Sequence, residues 1–198
     1  MLLIVFVKNS IPGKVKTRIA KDIGDEKAME LYNILKAHTA DISAQADADK
    51  WVFYADYIEN NDFFNESLFD KKLQADAEFG MRMQTAFDEG FAVGHDKIVL
   101  ICSDCYELNS DHIREAFRLL DHKEAVLGPA FDGGYYLIGL RKMYSVLFDE
   151  KSWSTNSVLS DTIEDLNSLE ISYDLLEPLS DIDLAADIPN DLRTKLNI

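Results

Sequence analysis

The sequence has few of the features that mark secreted or membrane proteins. Its 198 residues include two cysteines, too few for a framework of disulfides. No stretch approaches the roughly 18 consecutive apolar residues that a membrane-spanning helix requires. The apolar run from Leu2 to Val7 has no basic region before it and no small-residue cleavage site, so it does not resemble a signal peptide. We expect a cytoplasmic protein with no stable membrane insertion.

Basic residues are also scarce, and they are unevenly placed. The chain has 20 Lys and Arg against 36 Asp and Glu, which gives a formal net charge of −16. Such a charge repels nucleic acids and anionic membranes, so we predict neither as a partner. The first 21 residues nevertheless contain no acid and five basic side chains: Lys8, Lys14, Lys16, Arg18 and Lys21. This local cluster favours the binding of a compact anion such as phosphate.

Nothing in the composition divides the chain. It has no Gly/Ser linker, internal repeat or low-complexity tract, and a chain of this length ordinarily forms one core. With 47% hydrophobic and 28% charged residues, the composition is that of a folded globular protein. We predict a single domain over residues 1–198.

Short apolar runs alternate along the chain with segments of helical period. Runs that are apolar on both faces are typical of buried parallel strands, which helices cover on both sides. The predicted strands are Leu2 to Val7, Trp51 to Ala55, Lys72 to Ala75, Lys97 to Cys102, Glu124 to Leu127, Tyr135 to Leu140 and Ser172 to Leu176. The predicted helices are Glu26 to Ala46, Phe79 to Val93, Ser110 to Leu120 with Ser110 as N-cap, and Ser157 to Leu169. This pattern predicts a three-layer α/β/α sandwich with a mostly parallel central sheet, which binds ligands at the carboxyl ends of its strands.

The basic cluster follows the first strand, at the edge where such a fold binds ligands. Pro12 and Gly13 supply a turn in which the backbone can approach a ligand closely. Lys14, Lys16 and Arg18 can neutralise phosphate oxygens. Neither the P-loop pattern nor the glycine pattern of dinucleotide-binding proteins is present, so any phosphate site is of another kind. The alternative is a solvated basic loop with an ordinary Pro-Gly turn.

The predicted strand Lys97 to Cys102 leads to a carboxylate, Asp104. A hard cation such as Mg²⁺ (or Mn²⁺) binds one or two carboxylates together with phosphate oxygens, so Asp104 near the basic loop predicts a metal–nucleotide site. Capping of a turn or helix by Asp104 is the alternative. Cys102 and Cys105 form a C-x-x-C pattern, but it encloses a carboxylate and the four histidines show no paired spacing. We therefore expect neither a redox pair nor a zinc site.

Two further segments place acids in turns. Asp132-Gly133-Gly134 is either the turn of a simple hairpin or a tight loop that faces a ligand. The preceding Gly128-Pro129 favours the ligand-facing role, because a two-residue hairpin does not need it. Near the carboxyl terminus, Asp181 and Asp183 alternate with apolar residues. Asp183 either joins Asp104 on a metal or caps a helix that starts near Leu184.

Together these motifs resemble a glycosyltransferase-A-like family of uncharacterised bacterial transferases, which includes proteins associated with arsenosugar biosynthesis. The family is similar, more distantly, to nucleotidyltransferases that make molybdopterin and deazaflavin cofactors, and it has the nucleotide-diphospho-sugar transferase fold. The matching segments cover nearly the whole chain and are Lys8 to Ile19, Cys102 to Leu108, Gly128 to Leu140, Trp153 to Thr155 and Leu179 to Asp183, with Gln74, Gly80, Arg82 and Met83.

The resemblance implies roles for the matching residues. Nucleotide and phosphate contacts would be made by Gly13, Lys14, Lys16, Arg18, Gly80 and Arg82. Asp104 and Asp132 would be catalytic, and Asp104 and Asp183 would bind Mg²⁺ or Mn²⁺. Gly133, Gly134 and Trp153 would lie on the sugar or acceptor side, where Trp153 either supports a sugar ring or belongs to the core.

Three positions depart from the family pattern: Ser10 and Tyr106 replace prolines, and Cys102 replaces a glycine. The changes at Cys102 and Tyr106 alter the loop around Asp104, because a side chain restricts close approach and a lost proline frees the backbone. We therefore expect metal affinity or donor choice to differ from those of relatives.

The activity that the resemblance implies is metal-dependent glycosyl transfer from a nucleotide-diphosphate sugar to a small-molecule acceptor. One alternative is a nucleotidyltransferase that acts on a nucleoside triphosphate and a phosphorylated acceptor. The other is a noncatalytic protein that binds nucleotide sugars.

Overall fold

One mixed sheet forms the centre of the protein in a computed structural model, which describes residues 1–149 and 151–198. The strands are β1 (Leu2–Val7), β2 (Asp49–Tyr54), β3 (Asp70–Leu73), β4 (Ile98–Cys102), β5 (Ala125–Pro129), β6 (Tyr135–Leu140) and β7 (Tyr173–Leu175). The α-helices are α1 (Thr17–Ile23), α2 (Asp25–Ala44), α3 (Phe79–Ala92), α4 (Ser110–Leu119), α5 (Val158–Ser168) and α6 (Asn190–Leu196). Short 3₁₀ helices span Ser145–Leu147 and Ala185–Asp187. None of the helices in the described ranges is long and apolar enough to cross a membrane.

The strand order places a crevice at one edge of the sheet. The order is β3-β2-β1-β4-β6-β5-β7. β6 runs antiparallel to both of its neighbours, and the other pairs are parallel. The chain begins at β1, adds β2 and β3 on one side, and then crosses to β4 on the other. Connections therefore leave the carboxyl ends of β1 and β4 in opposite directions, and ligands bind in the crevice between such connections.

The strand β1 is buried on both faces because its side chains alternate between two apolar cores. Leu3 and Val5 pack in a core with residues of α2 and α4. Leu2 and Ile4 point to the other side, where they pack with residues of α3 and α5. With helices on both faces of a mostly parallel sheet, the predicted three-layer α/β/α sandwich is confirmed.

A third apolar cluster fixes the segment near the carboxyl terminus. Helices α1, α2 and α6 contribute Ile19, Leu31 and Leu192 to this cluster, and Ile182 joins them. The backbone nitrogen of Ile182 donates to the carbonyl oxygen of Asp104 at 3.0 Å. The acidic residues on either side of Ile182 are therefore held beside the end of β4.

The predicted strands and helices are all present, with bounds that shift by one or two residues. The sequence patterns do not predict α1 and α6, because each has seven residues and is too short to show a helical period clearly. The prediction that Ser110 caps α4 is wrong. Asn109 is the N-cap, and its side chain accepts hydrogen bonds from the backbone nitrogens of Asp111 and His112. The ring of His112 accepts in return from the backbone nitrogen of Asn109, which completes a capping box.

Candidate functional site

A cavity of about 550 Å³ opens at the carboxyl edge of the sheet, beside the ends of β1 and β4. Its walls come from segments that are distant in sequence: the basic loop after β1, the residues after β4, the β5–β6 turn and the segment near the carboxyl terminus. The charged residues that meet there include Lys14, Lys16, Arg18, Asp104, Asp132, Asp181 and Asp183. The structure thus brings the basic loop and Asp104 together in one cavity.

The basic loop makes a tight turn that leads into α1. The backbone nitrogen of Lys14 donates to the carbonyl oxygen of Ile11 at 3.0 Å, and Gly13 has a φ of 75°. Gly13 serves this turn and does not line the cavity. The side chains of Lys14 and Arg18 do line the cavity, and they are 62% and 61% exposed. These two cations are therefore accessible to an anion in the cavity.

Lys16 behaves differently from the other two cations. Its side chain is 6% exposed, and its Nζ lies 2.5 Å from Asp104 Oδ1 and 3.6 Å from Asp183 Oδ1. It also donates to the carbonyl oxygen of Ile182 at 2.6 Å. Burial by itself lowers the pKa of Lys16, but the neighbouring carboxylates outweigh burial and raise that pKa. Lys16 is therefore a buried cation whose charge the acids of the cavity already balance.

Asp104 lies just beyond β4, and 36% of its side chain is exposed, so solvent reaches it. Its neighbour Ser103 shares a hydrogen bond of 2.9 Å with the hydroxyl of Tyr32, which holds this part of the loop. Burial tends to raise the pKa of Asp104, but the ammonium groups of Lys16 and Lys8 lower it by more. Asp104 is thus an ionised carboxylate at neutral pH.

Asp181 also lies in this cavity, and no sequence motif predicts a role for it. Its Oδ1 is buried and has no hydrogen-bond partner in the described part of the chain. Burial and the charges of Asp104 and Asp132 raise the pKa of Asp181 to about 7. The alternation of Asp181 and Asp183 about the buried Ile182 is the signal that could have indicated it, since alternate residues of an extended chain face the same side.

The Asp132-Gly133-Gly134 turn joins β5 to β6 and also borders the cavity. The backbone nitrogen of Gly134 donates to Asp132 Oδ1 at 2.9 Å, and both residues line the cavity. Gly133 has a φ of 92°, and a Cβ at this position would overlap the backbone of Asn156. Gly133 therefore packs the turn against the segment after Trp153 and does not itself line the cavity. The segment is a hairpin turn and a wall of the cavity at once.

Trp153 and Phe79 form an aromatic side of the cavity. Their ring centroids are 5.3 Å apart and their planes meet at 81°. Trp153 also packs against the core that covers one face of the sheet. A Cβ at Gly80 would lie 2.6 Å from Trp153 Nε1, so Gly80 makes room for the indole and does not line the cavity.

Arg82 lines the cavity as well, and its Nε donates to the carbonyl oxygen of Ala77 at 2.5 Å.

Cys102 and Cys105 are both free thiols. Burial and the nearby acids raise the pKa of each to about 12. Cys105 Sγ donates to the carbonyl oxygen of Ser180 at 3.5 Å. Thiols that stay protonated at neutral pH are poor nucleophiles and poor metal ligands, so the chemistry of the cavity falls to its carboxylates and cations.

The oxygen donors of the cavity decide whether a divalent cation fits it. Across residues 1–149 and 151–198, no three or more His, Cys, Asp or Glu side chains are arranged as a ready metal site. Asp104 and Asp183 nevertheless converge on one ammonium, and Asp181 adds a buried oxygen without a partner among the described residues. Carboxylate oxygens are the donors that Mg²⁺ and Mn²⁺ prefer. The donor set fits a hard divalent cation, and Lys16 supplies the positive charge in this structure.

Residues 38–155 match a family described as uncharacterized proteins conserved in bacteria (DUF2064). The matched segment is more than half of the chain and contains Asp104, the Asp132 turn and Trp153. The chain belongs to this family. The resemblance to a family of uncharacterised bacterial proteins is therefore confirmed, while the basic loop and Asp183 lie outside the matched segment.

Solved structures of named transferases share the fold of this DUF2064 protein. A protein from Desulfovibrio desulfuricans G20, provisionally named a nucleotide-diphospho-sugar transferase, has 29% sequence identity and a TM-score of 0.85, over 97% of this chain and 89% of that chain. The inositol-1-phosphate CTP transferase of T. maritima has 14% identity and a TM-score of 0.57, over 99% and 96%. The 4-diphosphocytidyl-2C-methyl-D-erythritol synthase of Anaerococcus prevotii DSM 20548 has 8% identity and a TM-score of 0.58, over 100% and 96%.

The similarity to the T. maritima and Anaerococcus prevotii proteins is one of fold alone. The similarity to the Desulfovibrio desulfuricans protein confirms the predicted nucleotide-diphospho-sugar transferase fold. A comparison with curated proteins gives no match.

Proposed function

We propose that this protein is a metal-dependent glycosyltransferase that takes a nucleotide-diphosphate sugar as donor and a small molecule as acceptor. The observation that carries the proposal is the meeting of the basic loop and Asp104 in one cavity at the carboxyl edge of the sheet. The relative from Desulfovibrio desulfuricans supports it, because that protein is provisionally named a nucleotide-diphospho-sugar transferase and matches nearly the whole chain.

The exposed cations of the loop suit the diphosphate of the donor. Lys14 Nζ lies 3.8 Å from Asp56, and Arg18 Nη1 lies 3.5 Å from Asp183. Long, exposed ion pairs of this kind contribute little, so a phosphate group can replace them. Arg18 can bind two phosphate oxygens at once. Glycosyl transfer places negative charge on the departing nucleoside diphosphate, and cations already positioned around it stabilise that charge.

The acids of the cavity divide into two groups under this proposal. Asp104 and Asp183 are the residues that would hold Mg²⁺ or Mn²⁺, which supplies Lewis-acid stabilisation of the leaving diphosphate when bound. Asp132 lies on the β5–β6 turn, and its Oδ1 is engaged by Gly134. We assign its Oδ2 to the acceptor hydroxyl, where a carboxylate can take up the proton that the acceptor loses.

The aromatic side of the cavity suits the sugar. Trp153 and Phe79 present apolar ring surface beside the Asp132 turn, and the face of an aromatic ring packs well against the apolar face of a sugar. Gly80 and Gly133 would act indirectly, since each provides the space in which a neighbouring cavity segment packs.

Ligand binding is measured first and reaction products second, and together they test the proposal. Nucleotide sugars should raise the melting temperature, and Mg²⁺ or Mn²⁺ should increase that rise. Turnover should then release a nucleoside diphosphate. Release of pyrophosphate from a nucleoside triphosphate would instead identify a nucleotidyltransferase. Binding of nucleotide sugars without any product across a broad acceptor screen would identify a noncatalytic binding protein.

Replacement of Asp104 by Asn tests the role of that carboxylate. Transfer should fall by at least about 100-fold, since loss of one preorganised charged contact has effects of that size. The variant should stay folded, because Lys16 keeps its contact with Asp183. Asp88→Asn, on the exposed face of α3, is the matched control and should keep full activity. Full activity in Asp104→Asn would remove Asp104 from the mechanism.

A further inference from the structure

Lys16 occupies a position that binding to phosphate alone does not explain. The other two cations of the loop are mostly exposed, whereas Lys16 is withdrawn from solvent. Its ammonium contacts Asp104, Asp183 and the carbonyl oxygen of Ile182. In this arrangement the Lys16 ammonium is paired with carboxylates, so it is not available to bind an incoming diphosphate.

The backbone at Lys16 has an uncommon conformation. Lys16 has φ 46° and ψ 42°, in the left-handed region that non-glycine residues rarely adopt. It occupies the N-cap position of α1, and its side chain does not cap the helix. A strained residue persists only where the surrounding contacts hold it. The Lys16 carbonyl oxygen accepts a hydrogen bond from the backbone nitrogen of Ala20 at 2.9 Å, which ties the backbone to α1, whereas the side chain contacts the acids of the cavity and the carbonyl oxygen of Ile182. Loss of the acid contacts would therefore release the side chain.

The same acids would be the ligands of a divalent cation. Asp104 and Asp183 both contact the Lys16 ammonium, and Asp181 lies beside them with an unpartnered oxygen among the described atoms. A doubly charged cation balances this cluster better than one ammonium does, and it repels the ammonium at short range. Lys16 and a divalent cation therefore compete for the same carboxylates.

We propose that Lys16 is an internal counter-ion that a divalent cation displaces, and that the released ammonium then binds the diphosphate of the donor. The identity of that anion rests on the proposed function, whereas the exchange needs only the part of it that places a divalent cation on these carboxylates and does not need sugar transfer. Each ligand favours the released position of Lys16. The cation and the nucleoside diphosphate should therefore strengthen one another's binding by the same factor.

Chemical labelling of the wild-type protein tests the exchange. Lysine amines are acylated with an N-hydroxysuccinimide ester, and the modified positions are quantified by mass spectrometry. Lys16 should react slowly in EDTA, several-fold faster in Mn²⁺, and slowly again in Mn²⁺ with a nucleoside diphosphate (ADP, CDP, GDP and UDP tried separately). Lys27, which pairs with Glu30 on the surface at 2.8 Å, is the internal control and should not respond. Reactivity of Lys16 that is the same in EDTA and in Mn²⁺ would overturn the exchange. Reactivity that stays high with all four diphosphates would overturn the transfer to phosphate.

Binding measurements on Lys16→Met separate displacement from simple proximity. Calorimetric titration of the wild type should show Mn²⁺ and the nucleoside diphosphate enhancing one another by about tenfold, a typical size for linked sites. Lys16→Met should bind Mn²⁺ alone more tightly than the wild type, and its mutual enhancement should shrink to the part that direct contact between the cation and the diphosphate provides. Lys27→Met should match the wild type. Removal of a lysine that is merely close to the metal would also raise Mn²⁺ affinity, but it would leave the mutual enhancement as large as in the wild type, and that result would overturn the proposal.

The labelling experiment decides the question if Lys16→Met does not fold, because it uses the wild-type protein. Failure of this inference is also distinct from failure of the proposed function. Glycosyl transfer by a protein whose Lys16 ignores Mn²⁺ contradicts the exchange alone. Release of Lys16 by Mn²⁺ in a protein that transfers no sugar contradicts the glycosyltransferase proposal alone.

Discussion

Replacement of Asp181 by Asn should stabilise the cation-free protein, and the gain should grow as the pH rises from 5 to 8. The carboxyl of Asp181 is surrounded by Asp104, Asp132 and Asp183, and one of its oxygens has no partner in the described ranges. Ionisation in this place has a large free-energy cost, because the charge is desolvated and its neighbours repel it. An amide has nearly the same shape and does not ionise.

The magnitude follows from the pKa of Asp181, which rises from 3.8 to about 7 on folding. Between these values the folded protein holds a proton that the unfolded chain has released. Wild-type stability therefore falls as the pH rises through this window, and the loss is complete above pH 7. Each pH unit in this window lowers the free energy of unfolding by about 1.4 kcal/mol, so the protein loses about 4 kcal/mol of stability across the full window. Between pH 5 and pH 8 the advantage of Asp181→Asn should grow by about 2 to 3 kcal/mol.

Urea unfolding at pH 5, 6, 7 and 8, in EDTA and followed by tryptophan fluorescence, measures this difference. Asp88→Asn is the matched control, since Asp88 is exposed on α3 and its replacement should give a difference that does not vary with pH. An advantage of Asp181→Asn that stays constant or shrinks as the pH rises would contradict a raised pKa of Asp181. It would mean that Asp181 is already ionised at pH 5 in the folded protein.

Three further predictions concern stability, and urea unfolding measures each of them. Gly133→Ala should destabilise the protein by more than Gly94→Ala, by about 1 to 3 kcal/mol, because both glycines have positive φ but the added Cβ overlaps Asn156 at position 133 and meets nothing within 4 Å at position 94; equal losses would contradict the proposed packing of the turn. Lys36→Met should cost about 3 to 5 kcal/mol, because the Lys36 ammonium is buried against Glu59 and Asp62, and its loss leaves Glu59 without its cation while Asp62 keeps only Lys71; a loss below 1 kcal/mol would show that water reaches Glu59. Asn109→Ala should cost about 1 kcal/mol and Ser110→Ala much less, since Asn109 caps α4; the reverse order would restore Ser110 as the cap.

Local patterns in the sequence are sufficient for most of the sheet and for the larger helices. β1 and β6 have the predicted bounds, because an apolar run that ends at a charged or turn residue marks a buried strand directly. The sequence patterns do not predict α1 and α6, because the stability of these helices comes from packing in the cluster with α2 and not from a long periodic stretch. The cap of α4 is misplaced by one residue for a similar reason, since both Asn109 and Ser110 can cap a helix and only the backbone geometry distinguishes them.

Patterns along the chain are enough to assign the type of fold, the position of the basic loop after the first strand and the position of Asp104 after the fourth. These depend on the order of strands and on the rule that their carboxyl ends share one edge. The packed structure is needed to show that Lys16 is buried against Asp104 and Asp183 while Lys14 and Arg18 stay exposed, and that one oxygen of Asp181 is buried beside them. The physical reason is that ion pairing and desolvation depend on which distant segments the packed core brings within a few ångströms, and neighbours in sequence do not reveal this.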